Sequence, residues 1–245
     1  MSNVGRISCV VPVFNGDRYL AESLDSILAQ SLPADEIVVV DDGSTDGTAE
    51  VAARYVDAVR LVRQENAGSP AARNRGVTES RGDLIAFGDA DDLWHPDRLA
   101  RQIERFEQRA DLDCCIAHVQ NFWSPEATVE KEMDLRHGDF TLPHAGVITM
   151  TGLVRRSIFD RVGLFLPSLR HHDGQEWQVR ARDHGAVIEV IPEVLMSRRV
   201  HDGNESRRRR ADESEGLLAA IKMSLDRRRA ALTPTESYSP EEEGC

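Results

Sequence analysis

The stretch Leu84-Ile85-Ala86-Phe87-Gly88-Asp89-Ala90-Asp91-Asp92 decides the fold, because an apolar run that predicts a buried strand ends in a cluster of acids. Side chains two positions apart in an extended segment project to the same side, so we expect Asp89 and Asp91 to converge while Asp92 turns away. Two converging carboxylates favour Mg²⁺ or Mn²⁺, with water and a phosphorylated ligand in the remaining positions. The alternative is an acidic turn that caps the helix after Pro96.

The same arrangement of an apolar strand, a polar turn and a helix occurs three times before this stretch. Strands are predicted over residues 7–14, 36–40 and 59–62. Helices are predicted over residues 19–28 and 48–55, and again after Asn66-Ala67-Gly68, where Ser69 is the expected N-cap and Pro70 the first helical residue. Four strands alternating with helices predict an α/β fold with a mainly parallel central sheet and helices on both faces.

Polar side chains follow each of these strands. Ligands of such sheets bind beyond the carboxyl ends of the strands, where the loops gather. The side chains expected at that edge are Asn15, Asp17, Asp41, Asp42, Asn66, Asp89 and Asp91. Four successive strands that deliver acids and amides to one edge favour an active site over an acidic turn.

The second half of the chain has a weaker pattern. We predict a helix over 97–109, a strand over 113–119, an excursion over 121–145 that covers the cleft, helices over 157–162 and 175–184, and strands over 186–191 and 194–200. The predicted organisation is one domain over residues 1–206, with one half at about 6–112 and the other at about 113–206. A basic helix at 207–232 and a disordered acidic tail at 233–245 follow.

Composition excludes several classes of protein. The formal charge of −12 argues against general nucleic-acid binding, although Arg207 to Arg210 form a local basic run. The chain has no apolar run of 18 residues and no secretory signal at Met1 to Gly5, so we expect a cytoplasmic protein without an integral membrane segment. The four cysteines have no C-x-x-C spacing, and Cys9, Cys114 and Cys115 lie in apolar strand-like runs, which favours buried thiols over zinc or disulfides. The basic run suggests a position peripheral to the inner membrane face.

Several familiar motifs are absent. The segment Asp42 to Gly47 imitates the start of a calcium loop, but Ala53 stands where that loop needs a bidentate Glu. The chain contains no G-x-x-x-x-G-K-[ST] loop, no G-x-G-x-x-G fingerprint and no nucleophile elbow. With these classes of site excluded, the remaining interpretation of the acids is a metal site that binds the phosphates of a nucleotide.

Four motifs in order resemble the family-2 glycosyltransferases, which have the GT-A fold. They are Val11-Pro12-Val13-Phe14-Asn15, Val40-Asp41-Asp42-Gly43-Ser44-Thr45-Asp46, Asn66-Ala67-Gly68 with Ala71-Ala72-Arg73-Asn74-Arg75-Gly76, and Asp89-Ala90-Asp91-Asp92. Weaker similarity continues to Arg199-Val200-His201-Asp202-Gly203-Asn204-Glu205-Ser206, so the resemblance covers roughly residues 6–206. It implies that residues 1–206 are a catalytic domain, in which a Rossmann-like nucleotide-sugar half at about 6–112 is joined to an acceptor half at about 113–206.

The resemblance also implies roles for individual residues. Pro12, Val13 and Asn15 would line the nucleotide pocket, and Asp42 would hold the base or ribose. Asn66 and Arg73, from the third motif, would join the nucleotide-sugar site. Asp89 would contact the ribose or the water shell of a Mn²⁺ or Mg²⁺ ion, Asp91 would ligate the ion, and His201 would reach the ion or the diphosphate.

The expected general base falls where this chain departs from the family pattern. Counting back from Arg180, the usual catalytic Asp falls on Gly174, so either Glu176 or Asp173 takes the role, with Glu176 preferred. The predicted function is metal-dependent, inverting transfer of a sugar from a nucleoside-diphosphate sugar to an acceptor hydroxyl. The alternatives are a sugar-nucleotide-binding protein that has lost its base and a metal-dependent nucleotidyl- or phosphotransferase. The donor sugar is not predicted, and the acceptor is left open among a saccharide, a lipid-linked glycan, a peptide and a small molecule.

Overall fold

The computed structural model describes residues 4–127, 141–169, 172–204 and 222–226. The strands are β1 (Ile7–Val13), β2 (Glu36–Asp41), β3 (Arg60–Arg63), β4 (Leu84–Phe87), β5 (Leu93–Trp94), β6 (Cys114–Trp123), β7 (His144–Ala145), β8 (Leu153–Arg155) and β9 (Ile188–Val200). The helices are α1 (Leu20–Leu28), α2 (Thr48–Ala53), α3 (Ser69–Glu79), α4 (Arg98–Gln108), α5 (Ile148–Thr151), α6 (Ser157–Val162) and α7 (Asp173–Asp183). Residues 222–226 are also helical.

The first half of the sheet is parallel, in the order β3-β2-β1-β4. Alternate residues of β1 enter different cores, because successive side chains of a strand point to opposite faces. Val11 packs in one core with Leu24 of α1, and Val10 packs in the other with Val77 of α3. A Cβ atom on Gly76 of α3 would lie 2.2 Å from Val10, so this glycine permits the close approach of α3 to β1. Helices therefore cover both faces, as predicted.

The second half of the sheet mixes directions, and the order continues β8-β6-β9-β5. β6 and β9 are parallel, whereas β8, β7 and β5 pair antiparallel with their neighbours. The prediction of two strands flanking Pro192 was wrong, because β9 runs through it as one strand. The register shifts where Ala117 and His118 of β6 face this region, and such an irregularity accommodates a proline that cannot donate to the ladder. The predicted α/β class with a largely parallel sheet is confirmed.

Smaller differences concern the ends of elements. α7 begins at Asp173 rather than at Gln175, and Ser69 lies inside α3, with Gly68 in the preceding position. Most of the predicted basic helix, all of the predicted tail and residues 128–140 of the excursion lie outside the described residues, so the domain boundaries stay predictions. Where the chain is described, no helix has the length and apolar character needed to cross a bilayer.

Candidate active site

A cleft of about 1290 Å³ lies beyond the carboxyl ends of the parallel strands and is lined by both halves of the chain. All but one of the predicted site residues line it: Pro12, Val13, Asn15, Asp42, Asn66, Arg73, Asp89, Asp91, Asp173 and His201. The exception is Glu176. The sheet therefore brings residues more than a hundred positions apart in sequence into one cavity.

Asn15 holds the loops after β1 and β2 together. Its backbone N–H donates to Ser44 Oγ (2.9 Å), and its side-chain oxygen accepts from the Thr45 N–H (2.8 Å). The residue has a φ of 50°, a left-handed conformation that asparagine tolerates better than most residues. Neither Asp nor Ala supplies the same combination of backbone freedom and a neutral acceptor, which accounts for an asparagine at this wall.

Asp42 shapes the loop that contains Asn66. Its Oδ1 accepts hydrogen bonds from Gln64 Nε2 (2.7 Å) and the Ala67 N–H (2.9 Å), and its Oδ2 accepts from the Gly68 N–H (2.8 Å). The carboxylate is buried. A carboxylate oxygen accepts up to two hydrogen bonds, so Oδ2 keeps capacity for a ligand while the other contacts fix its position.

The acids after β4 lie on a turn rather than in an extended segment. The Asp92 N–H is 3.4 Å from the Asp89 carbonyl oxygen. Asp89 accepts from Arg73 Nη2 (3.0 Å), whereas Asp91 Oδ2 lies 3.1 Å from His201 Nε2. Asp92 is buried, and its Oδ1 accepts from the Arg199 N–H (2.9 Å). The three carboxylates thus have three different partners.

Burial and mutual repulsion act on these acids. Burial raises the pKa of Asp89, which the charge of Asp91 also raises while Arg73 opposes the shift. Burial, with Asp91 and Asp89 nearby, raises the pKa of Asp92 well above its usual value. The described lining contains more carboxylates than guanidinium groups: Asp17, Asp42, Asp89, Asp91, Asp92, Glu126, Asp173 and Asp202 against Arg18, Arg73 and Arg198. A cation bound in this cleft would reduce the repulsion among these carboxylates.

A divalent ion fits this chemistry with few protein ligands. No group of three His, Cys, Asp or Glu side chains within the described ranges is arranged to share an ion, so Asp91, Asp89 and His201 are not brought together as a ligand set. Mg²⁺ typically uses one or two carboxylates and takes its other ligands from water and substrate phosphates. Asp91, a partly exposed carboxylate in the lining of the cleft, meets that requirement.

The contacts of His201 select one tautomer. The Gly203 N–H donates to His201 Nδ1 (3.1 Å), and a backbone N–H has no acceptor capacity, so the proton of the neutral ring lies on Nε2. Nε2–H then donates to Asp91 Oδ2. His201 is a hydrogen-bond donor in this arrangement, and direct ligation of an ion through Nε2 requires the other tautomer.

Asp173 reaches the cleft from the second half of the chain, at the first residue of α7. Its Oδ2 accepts from Arg73 Nη1 (2.9 Å), and the carboxylate is buried. The next residue, Gly174, packs against α5, where an added Cβ would lie 2.7 Å from Thr149 Oγ1. A side chain at position 174 would have to displace the side chain of Thr149, whereas the adjacent Asp173 places a carboxylate in the cleft.

Glu176 does not face the cleft. It is completely buried, its two carboxylate oxygens lie 3.1 and 3.2 Å from Arg180 Nε, and Oε2 also accepts from Arg180 Nη2 (2.9 Å). Arg180 donates in turn to the carbonyl oxygens of Val162 and Leu164. The sequence carries a signal for this pair, because a Glu four residues before an Arg on a helix faces it.

Sequence reasoning missed a stack beneath the acidic turn. A Cβ on Gly88 would lie 2.6 Å from Trp94 Nε1, and the Arg98 guanidinium lies 3.7 Å from the centre of the Trp94 ring. Arg98 is fully buried, donates to the Phe87 carbonyl oxygen (2.7 Å), and has its pKa lowered to about 9 by burial. Trp94 and Arg98 thus support the backbone that carries Asp89 and Asp91.

Comparison with protein families and curated relatives gives a consistent result. The family model described as "Glycosyl transferase family 2" matches residues 8–163. An uncharacterized glycosyltransferase of Rickettsia typhi is 32% identical over 207 residues, which are 80% of this chain and 64% of that protein. The putative glycosyltransferase EpsH of Bacillus subtilis is 27% identical over 210 residues, 80% of this chain and 61% of EpsH. The chain thus spans less than two thirds of the length of these relatives.

Solved structures share the fold. The structure of TarS residues 1–349 from S. aureus in complex with UDP-GlcNAc matches with a TM-score of 0.66 at 20% identity. The match covers 82% of this chain and 60% of the TarS chain. The structure of the mannosyltransferase PcManGT from Pyrobaculum calidifontis in complex with GDP-Man and Mn²⁺ matches with a TM-score of 0.67 at 23% identity. The match covers 89% of this chain and 64% of the PcManGT chain. These likenesses confirm the GT-A-like fold.

Proposed function

This chain belongs to glycosyl transferase family 2, and from that premise we propose that it transfers a sugar from a nucleoside-diphosphate sugar to an acceptor hydroxyl, with inversion and with Mn²⁺ or Mg²⁺. The observation that carries the proposal is the position of Arg73. One of its nitrogens donates to Asp89 on the donor side and another to Asp173 on the acceptor side. A single cleft thus holds both halves of a displacement reaction.

Donor binding is proposed for the loops after β1, β2 and β3. Pro12, Val13, Asn15, Asp42 and Asn66 line this part of the cleft and would hold the nucleoside. The solved complexes of TarS with UDP-GlcNAc and PcManGT with GDP-Man support a uridine or guanosine diphosphate sugar as the donor class. The acceptor is left open.

Displacement of the diphosphate builds negative charge on the leaving oxygens. A divalent ion, held by Asp91 with Asp89 in its water shell, would offset that charge without proton transfer. His201 would donate its Nε2–H to the diphosphate, as it donates to Asp91 in this structure. Arg73 and Arg198 supply further positive charge in the same cleft.

Asp173, rather than Glu176, is the proposed general base. Arg73 fixes Asp173 Oδ2, and among the described residues no side chain or backbone group bonds Oδ1, which leaves it for an acceptor hydroxyl. The hydroxyl oxygen attacks the anomeric carbon, its proton passes to Asp173, and the bond to the diphosphate breaks on the opposite face in one inverting step. An acid in the cleft also weighs against a binding protein that has lost its base.

A donor panel tests the proposal. Release of nucleoside diphosphate from UDP- and GDP-sugars is measured with Mn²⁺, with Mg²⁺ and with EDTA, for the unaltered chain, Asp173→Asn and Asp160→Asn. Asp160 is an exposed carboxylate on α6 outside the cleft lining and serves as the matched control. We expect metal-dependent release that is lost in Asp173→Asn and kept in the control. Release of pyrophosphate from a nucleoside triphosphate, without use of any nucleotide sugar, contradicts the proposal and selects nucleotidyl transfer.

A further inference from the structure

The ring of Tyr19 packs against the imidazole of His201. The two ring centres are 4.6 Å apart and the planes are inclined by 51°. Tyr19 immediately precedes α1, at the end of the loop that follows β1, whereas His201 follows the last residue of β9. The contact therefore joins the wall proposed for the nucleotide to the residue proposed for the diphosphate.

Tyr19 is itself held from several directions. Its hydroxyl donates to Glu126, which also pairs with Arg18 (2.8 Å). The Arg199 guanidinium lies 4.7 Å from the centre of the Tyr19 ring, a distance at which cations are attracted to aromatic faces. Tyr19 is largely buried and lines the cleft. Its ring thus has little freedom to move away from His201.

The segment that carries His201 is anchored by independent contacts. Arg199 Nε donates to the Asp91 carbonyl oxygen (3.0 Å), and the His201 N–H donates to Asn204 Oδ1 (2.6 Å). Asn204 Nδ2 also donates to Asp91 Oδ2 (3.0 Å). These bonds fix the backbone around His201 but do not restrain the side-chain torsions of its imidazole. Those torsions are restrained by the hydrogen bond from the Gly203 N–H and by the Tyr19 ring.

We infer that Tyr19 is a positioning residue, whose ring packs against the His201 imidazole and directs its Nε2–H toward Asp91 and the diphosphate of the donor. The inference rests on the proposed function for the identity of that ligand. The contact with His201 is made by the ring, and the hydroxyl bond to Glu126 only adds to the restraint on that ring. Loss of the ring should matter far more than loss of the oxygen.

Tyr19→Phe, Tyr19→Leu and Tyr19→Met test the inference, with Tyr55→Phe and Tyr55→Leu as matched controls. Tyr55 is partly buried, and its hydroxyl donates to the Ala21 carbonyl oxygen and to Asp25, outside the cleft lining. Partners of a site residue typically contribute about 10–100-fold to activity. We expect kcat to fall about 10-fold in Tyr19→Leu and Tyr19→Met, and to stay within about 2-fold in Tyr19→Phe and both controls, all assayed well below their melting temperatures.

A double-variant cycle separates positioning from general damage. If Tyr19 acts through His201, then Tyr19→Leu adds little to the loss already caused by His201→Gln. If the fold-loss of kcat in the double variant equals the product of the losses in the two single variants, the inference is overturned. So does a Tyr19→Phe variant as impaired as Tyr19→Leu.

A direct observation of the ring contact does not need turnover. The NMR signals of the His201 ring protons, assigned by their absence in His201→Gln, should carry a shift from the Tyr19 ring that persists in Tyr19→Phe and disappears in Tyr19→Leu or Tyr19→Met. Signals that are unchanged in Tyr19→Leu and Tyr19→Met overturn the inference. If the shift behaves as expected but no nucleotide sugar is used, the proposed function fails while the positioning contact stands.

Discussion

Arg73 Nη1 lies 2.9 Å from Asp173 Oδ2, and this buried ion pair spans the cleft from α3 to the first residue of α7. The other terminal nitrogen of Arg73 lies 3.0 Å from Asp89 Oδ1. A guanidinium has five donors in one rigid plane, directed along more than one edge, and can serve two carboxylates at once. The position of Asp89 relative to Asp173, the proposed base, thus depends on the side chain of Arg73.

Arg73→Lys tests this dependence. A lysine keeps the charge but is a single point donor, so we expect one of the two acids to shift and kcat to fall by about 100-fold, the order of loss typical of a displacement near 1 Å. Arg75→Lys is the matched control, because Arg75 lies on the same helix with half its side chain exposed and pairs with Glu79. Steady-state kinetics measure both variants. Equal activities in the two would show that the bridge does not position the acids.

Asp173→Asn and Glu176→Gln should have opposite consequences. Removal of the proposed base lowers kcat by about 10²–10⁴-fold. Glu176→Gln leaves the largely buried Arg180 without its charged partner, so we expect a loss of about 3 kcal/mol in the free energy of unfolding and full activity per folded molecule. Kinetics and urea denaturation distinguish the two. A catalytic loss confined to Glu176→Gln would transfer the base assignment to Glu176.

Gly88→Ala should displace the acidic turn. The added methyl group would lie 2.6 Å from Trp94 Nε1, and the indole is trapped against the buried Arg98. We expect a loss of activity of about 100-fold, because Asp89 and Asp91 immediately follow the displaced residue. Trp94→Phe in the same chain removes the atoms that collide and should restore part of the activity. No recovery in the double variant would argue against a steric cause.

Stability should fall at alkaline pH because of buried thiols. Burial raises the pKa of Cys9 and of Cys115 to about 12 from an ordinary value of 9.0. Between these values the unfolded chain releases protons that the folded chain keeps, so the free energy of unfolding falls as pH rises above about 9, by about 1.4 kcal/mol per pH unit for each thiol. Denaturant titrations under reducing conditions at pH 8 and 10 measure this. Cys9→Ala should show a smaller fall, and an unchanged pH dependence would contradict the assignment.

The sequence was sufficient to predict the parallel half of the sheet and the edge at which the polar residues gather. Those elements are long, apolar and regularly alternating, so their periodicity reflects burial directly. β5 was missed because Leu93 and Trp94 alone have no period, and their pairing with β9 depends on contacts about a hundred residues away.

Local pattern carried only part of the choice between Asp173 and Glu176. Both acids lie in the first turn of α7, and the four-residue spacing of Glu176 and Arg180 signals their ion pair. The contact of Asp173 with Arg73 depends instead on the position of α7 against α3, which a single sequence does not display. The contact of Tyr19 with His201 and the stack of Gly88, Trp94 and Arg98 likewise arise from tertiary packing, which a single sequence does not display.

The central claim is that Asp91 couples a divalent ion to a nucleoside diphosphate. The most direct test is the melting temperature of the unaltered chain and of Asp91→Asn with UDP or GDP, with Mn²⁺, and with both together, since a ligand of the folded state raises the melting temperature by mass action. We predict a rise for one nucleotide that requires Mn²⁺ and is absent in Asp91→Asn. An equal rise without the metal, or an equal rise in Asp91→Asn, would contradict the claim.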